Sequence, residues 1–134
     1  MLDVLLIQHV ETGIKLLEYR QEQTLFDTDH MDIFTGFLSA IQSITHELDI
    51  GSVVLISTEG EKGHNCVIIP KDPIAIILLV DKDDPISLWR EQGHQVAEQF
   101  IQRFGPKISP SYLSIFQEFL PTIKEMCLGH RYCD

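Results

Sequence analysis

The stretch from Asp29 to Gly51 limits what this chain can fold into more than any other. Met31, Phe34, Leu38, Ile41, Thr45 and Leu48 recur at helical spacing, and a second row (Ile33, Phe37, Ala40, Ile44) runs beside them. A helix with two apolar rows must touch two things. One row covers a sheet; the other is more core or a docking face. Asp29 suits the N-cap, Asp32 the positive end of the helix dipole, and Gly51 a left-handed C-cap. Gly36, Ser39, Ala40 and Ser43 are small enough to let a second backbone come close.

The sequence on either side has the character of strands. Leu2 to His9 is apolar and bounded, and Val10 to Gly13 is a turn. Ile14 to Arg20 continues as an edge strand guarded by Lys15, Glu18 and Arg20. After the helix, Ser52 to Ser57 and His64 to Ile69 flank a turn rich in glycine and charge. Ile74 to Val80 is almost wholly apolar, as in a strand buried on both faces. Asp84 and Pro85 then open a second helix, with the stripe Ile86, Trp89, Gly93, Val96, Ala97, Phe100 and Phe104. Ser109 and Pro110 open a third, kinked or broken near Pro121 and ended by Gly129, and the tail is expected to fray. The order is β-β-α-β-β-β-α-α. Short turns make the pairing mostly antiparallel, so the class is α+β with a five-stranded antiparallel sheet in one domain, residues 1–134.

Charge sets the partners. The 134 residues carry a net charge of −10, which repels phosphate backbones and anionic membrane surfaces. No nucleic acid partner and no direct membrane insertion are expected. Nothing approaches the roughly 18 apolar residues of a span, and Met1 to Ile7 does not read as a secretory leader. Three cysteines are an odd count, which argues for reduced thiols and a cytoplasmic location.

Chemistry is thin. Gly60 and Gly63 lack the lysine and hydroxyl of a phosphate loop. His64 and Cys66 share one face of a strand, and Cys127, His130 and Cys133 lie three apart near the end. Together these five are the alternative reading, a metal or small-ligand site. Asp81, Asp83 and Asp84 cluster, but capping of the second helix accounts for them without a cation. No catalytic residues and no cofactor are expected.

Three features resemble the longin-like domains of the longin and roadblock group. They are the hairpin from Val4–Ile7 through Gly13 to Leu16–Tyr19, the first helix from Phe34 to Ile41, and Ile74–Val80 running into the helix with Trp89 and Phe104. A strand at Leu2 with no helix before it favours the longin side. The resemblance implies that the first helix covers one sheet face and the last two helices the other. It implies Val53–Ile56 at one edge and Leu16–Tyr19 at the other. It also implies a non-enzymatic interaction module of vesicle trafficking. Such a module forms a homodimer, or a heterodimer with a related domain, and binds or regulates a small GTPase. The expected interface is Ile33, Phe37, Ala40 and Ile44 on the helix with Val53, Val54, Leu55 and Ile56 on the strand.

Overall fold

The computed structural model describes residues 1–129 and 131–133. Strands β1 (Leu2–His9), β2 (Lys15–Arg20), β3 (Leu55–Ser57), β4 (His64–Lys71) and β5 (Ile74–Asp81) form one sheet in the order β2-β1-β5-β4-β3. Every neighbouring pair is antiparallel. The two most apolar segments, β1 and β5, lie side by side at the centre, and every residue of β1 is buried. The polar-flanked β2 and the short β3 take the edges, as the resemblance implied. On β2, Lys15 bonds Glu18 (2.7 Å) and Asp32 (2.8 Å), and Arg20 bonds Glu18 (2.9 Å), so its charges engage one another as well as blocking the edge.

Side chains alternate along β1, which divides the core in two. Leu5 and Ile7 join one core with Trp89, Phe100, Phe116 and Phe119, under helix α2 (Ile86–Phe104) and the C-terminal segment. Val4 and Leu6 join the other with Met31, Leu38, Cys66 and Ile68, under helix α1 (Thr28–Glu47). Gly93 is where α2 crosses β4, because a Cβ there would collide with Ile69. Phe100 touches Phe104, Phe116 and Phe119 at ring centroids 4.8–5.3 Å apart, the range of favourable tilted and edge-on pairs. That aromatic cluster ties α2 to the short helices α3 (Leu113–Phe116) and α4 (Leu120–Leu128).

Several local expectations are corrected. Helix α1 is capped by Asp27, whose carboxylate accepts from His30 N–H at 2.8 Å; Asp29 sits in the first turn. At the other end Asp49, not Gly51, follows the C-cap in the left-handed region (φ 55°). Ile50 N–H then reaches Thr45 C=O and Asp49 N–H reaches His46 C=O, the paired bonds of a Schellman ending. Leu48 falls outside the helix and is exposed. Asp84 does not cap α2. Its Oδ2 accepts from Trp89 Nε1 (3.1 Å) and the Met1 amino group (2.8 Å), while Pro85 is the N-cap. The break in the last helical segment comes at the 3-10 turn Gln117–Phe119, and Pro121 opens α4, where its missing N–H costs nothing. The tail does not fray as far as Cys133, which is buried, disulfide-bonded to Cys127 and held by Gln21 Nε2 on its carbonyl (2.9 Å).

The inward face of α1 is expected to separate cleanly in urea titrations. Leu38→Ala, at a side chain 1% exposed, should cost about 2–5 kcal/mol. Ile44→Ala should stay within about 0.5 kcal/mol. Equal losses would place the buried face elsewhere. Gly93→Ala should cost about 1–3 kcal/mol by overpacking against Ile69.

Candidate interaction surface

Helix α1 is lightly seated. Of its side chains only Met31, Thr35 and Leu38 are buried, at the i, i+4, i+7 spacing of a single narrow row. Thr35 is polar and was not expected there; its hydroxyl donates to Met31 C=O (2.7 Å), so it enters the core satisfied. Phe34 and Ile41, read as inward, are half-buried. The other row faces outward: Ile33 (73%), Phe37 (51%) and Ile44 (56%) are exposed, with Ala40 between them. Phe34 and Phe37 stack at 6.4 Å, which stiffens the stripe. A continuous apolar stripe of this kind marks a contact surface more often than scattered exposed residues do.

An open cleft of about 590 Å³ lies between the C-terminal half of α1 and the β1–β2 turn, lined by Gln8, Gly13, Ser39, Gln42, His46 and Pro70 among others. Gln8 bridges its floor, donating to Gly13 C=O and Ser39 Oγ, both at 3.0 Å.

Strand β3 is shorter than the expected Ser52–Ser57. The reason is Gln42 of α1. Its amide donates to Val53 C=O and accepts from Val53 N–H, both at 3.0 Å. Ile68 N–H bonds Val54 C=O on the β4 side, so Val53 turns its own polar groups outward, where Gln42 takes them. Of the expected strand residues, Val53, Leu55 and Ile56 are half-buried and Val54 is exposed. By the same alternation Leu55 and Ser57 present their N–H and C=O on the open side of this edge, beyond the Gln42 clamp. A side chain of the first helix thus sets where the edge begins, a long-range contact that no local pattern announces.

Among the described residues the proposed sulfur site does not assemble. Cys127 and Cys133 form a disulfide across a Cα–Cα distance of 5.4 Å, which corrects the expectation of reduced thiols and removes its argument for a cytoplasmic location. His130 lies outside the described residues. Cys66 packs in the α1-side core, and burial pushes its thiol up to about 12, far from a reactive thiolate. His64 meets Asp3 and Asp81 instead of Cys66.

No family model matches the sequence, and no curated protein matches it. Solved structures do. A Roadblock/LC7 domain from Streptomyces avermitilis aligns with a TM-score of 0.58 at 10% identity, over 77% of this chain and 84% of that one. Myxococcus xanthus MglB aligns with a TM-score of 0.54 at 14% identity, over 77% and 83%. This chain has the roadblock/longin fold. Gln42 fastens α1 to Val53, so the helix lies beside the start of the β3 edge. Among the described residues, no helix is long and apolar enough to cross a membrane.

Thiol counting tests the cysteine assignments. Native protein at pH 8 should resist alkylation, denatured unreduced protein should take one label at Cys66, and reduced denatured protein three. Between about pH 9 and 12 the unfolded thiol ionises while the folded one keeps its proton, so stability should fall with rising pH in that window. Denaturant midpoints against a Cys66→Ala variant would isolate this contribution.

Proposed function

We propose that this protein is a non-enzymatic interaction module that pairs through the outward face of α1 and the β3 edge. In its paired form it binds or regulates a small GTPase in a trafficking-like system. One observation carries the pairing: α1 buries a single narrow row and leaves Ile33, Phe37 and Ile44 in solvent. Covering those side chains is worth roughly 25 cal/mol per Å² of apolar surface removed from water. The β3 edge beside them supplies hydrogen bonds with a direction, which fixes register as packing alone does not. A second copy or a related domain offers both a matching helix and a matching edge, joined about a two-fold axis. The GTPase rests on the resemblance to the longin and roadblock group, and the net charge of −10 suits a basic protein face.

Light scattering across micromolar concentrations tests the pairing. The parent is expected to run as a dimer, alone or mixed with the related domain. Phe37→Glu should yield a folded monomer, since Phe37 is half-exposed and its loss leaves the core intact. Ser43→Arg, also on the exposed side, should weaken association without changing the melting temperature. A parent that stays monomeric with every candidate domain, or a Phe37→Glu protein that still dimerises, would refute the interface.

A further inference from the structure

The ends of β1, β5 and β4 bring Asp3, Asp81 and His64 together. His64 Nε2 lies 2.9 Å from Asp3 Oδ2 and 3.5 Å from Asp81 Oδ1. All three ligand atoms fall within 4.8 Å of one another. His64 and Asp81 are register partners across β4 and β5. Asp3 arrives differently. Leu2 pairs with Val80 but Val4 with Leu79, so Asp3 is the extra residue of a β-bulge. Leu2 and Leu5 both serve the α2-side core and Val4 the α1-side core, so the two-residue alternation is broken at this point. A regular strand would aim Asp3 into the aromatic core; the bulge aims it at His64.

The imidazole is held as metal-bound histidines are. Its Nδ1 lies 2.6 Å from Lys62 C=O, an oxygen that only accepts, so Nδ1 carries the proton. Nε2 is then the ring atom turned toward the two carboxylates. Phe26 packs edge-on against the ring at 5.5 Å and fixes its plane. The Asp3 side chain is 6% exposed, and its other oxygen accepts from Thr24 Oγ1 at 2.8 Å. An imidazole nitrogen and two carboxylate oxygens converging on one point, each ligand held from behind by a second contact, is the arrangement of a metal site.

The geometry points to a site for one divalent transition metal of the zinc class, bound by His64 Nε2, Asp3 Oδ2 and Asp81 Oδ1. One imidazole and two carboxylates favour zinc-like ions over calcium or magnesium. Tetrahedral zinc with bonds of about 2.0–2.2 Å sets its ligands roughly 3.3–3.5 Å apart. The His64–Asp81 pair already has that separation. Asp3 needs a few tenths of an ångström, and Asp81, half-exposed, can close the third side while its Oδ2 stays with the Met1 amino group (3.1 Å). Water would complete the shell. The ion would staple three strand ends and, through Thr24, the link into α1. It shares only His64 with the sulfur set the sequence suggested, and it is independent of pairing through α1.

Tag-free protein stripped with chelator and titrated with Zn²⁺ alone tests it, with Co²⁺ as the spectroscopic probe. Expected are one equivalent bound, a tetrahedral cobalt spectrum without thiolate charge-transfer bands, and a higher melting temperature with zinc. His64→Gln and Asp81→Asn should each weaken binding roughly tenfold or more, the size of effect that even an outer contact has at such sites. The exposed His94→Gln should leave binding unchanged. Circular dichroism confirms folding of each variant; Asp3→Asn is the riskier one because Asp3 is buried. No saturable binding to the parent, or equal binding by folded His64→Gln, would overturn the site. So would nitrogen NMR showing both ring nitrogens of His64 protonated above neutral pH with zinc present, which would make the cluster a plain ion pair.

Discussion

A sheet whose central strands are apolar on both faces must be covered twice, and here the two covers are unequal. The α2 side receives Trp89 and a phenylalanine cluster, all closely packed. The α1 side receives Met31, Thr35 and Leu38 from twenty helical residues. A side chain such as Phe100 contributes roughly 1.5–3 kcal/mol when fully buried, so the C-terminal half of the chain carries most of the packing. Helix α1 keeps its own apolar row because the sheet beneath has room for only one. The open stripe and the cleft between α1 and the β1–β2 turn follow from that shortage.

Features with a short sequence period were legible. Leu2–His9 and Ile74–Val80 are runs too apolar for anything but central strands, and the structure gives both that place. The α2 stripe from Trp89 to Phe104 is buried residue for residue, because a 3.6 period has one inward solution. Ends were less legible. Asp27, Asp29 and Asp84 are chemically interchangeable as caps, and only the path of the chain decides among them. That path puts Asp27 ahead of α1 and turns Asp84 toward Trp89. Asp49 at positive φ displaced the glycine because the Schellman bonds and the αL tolerance of a short polar side chain sufficed.

The candidate surface was half legible for the same reason. Ile33, Phe37, Ala40 and Ile44 follow from helical spacing. The start of the β3 edge does not, since it depends on Gln42 reaching Val53 eleven residues away. The polar cluster was still less visible. Asp3, His64 and Asp81 are separated by sixty-odd and seventeen residues, and a bulge re-aims the first of them. A sequence scan weighs His64 against Cys66 because they are neighbours on one strand. Folded, Cys66 belongs to an apolar core and His64 to a polar corner with Asp3 and Asp81. The cysteine count misled in a similar way: three is odd, yet two of the three pair and the third is sealed.

Charge now bears on which partner the stripe meets. Helix α1 has no lysine or arginine from Thr28 to Glu47. Asp27, Asp29 and Asp32 stand at its start, Glu47 and Asp49 at its end, with His30 and His46 between. Lys15 offsets Asp32, but the remaining acids leave both ends negative, so two copies packed through the stripe as proposed would bring acidic ends together whichever way the helices run. Apolar burial can outweigh that repulsion, and salt within a Debye length of about 8 Å weakens it. A domain that matches the stripe but carries a basic rim meets no such opposition. For the pairing proposed above, a second copy would meet this repulsion and a basic relative would not, so the choice between them would lie in the rim rather than in Phe37 and Ile44.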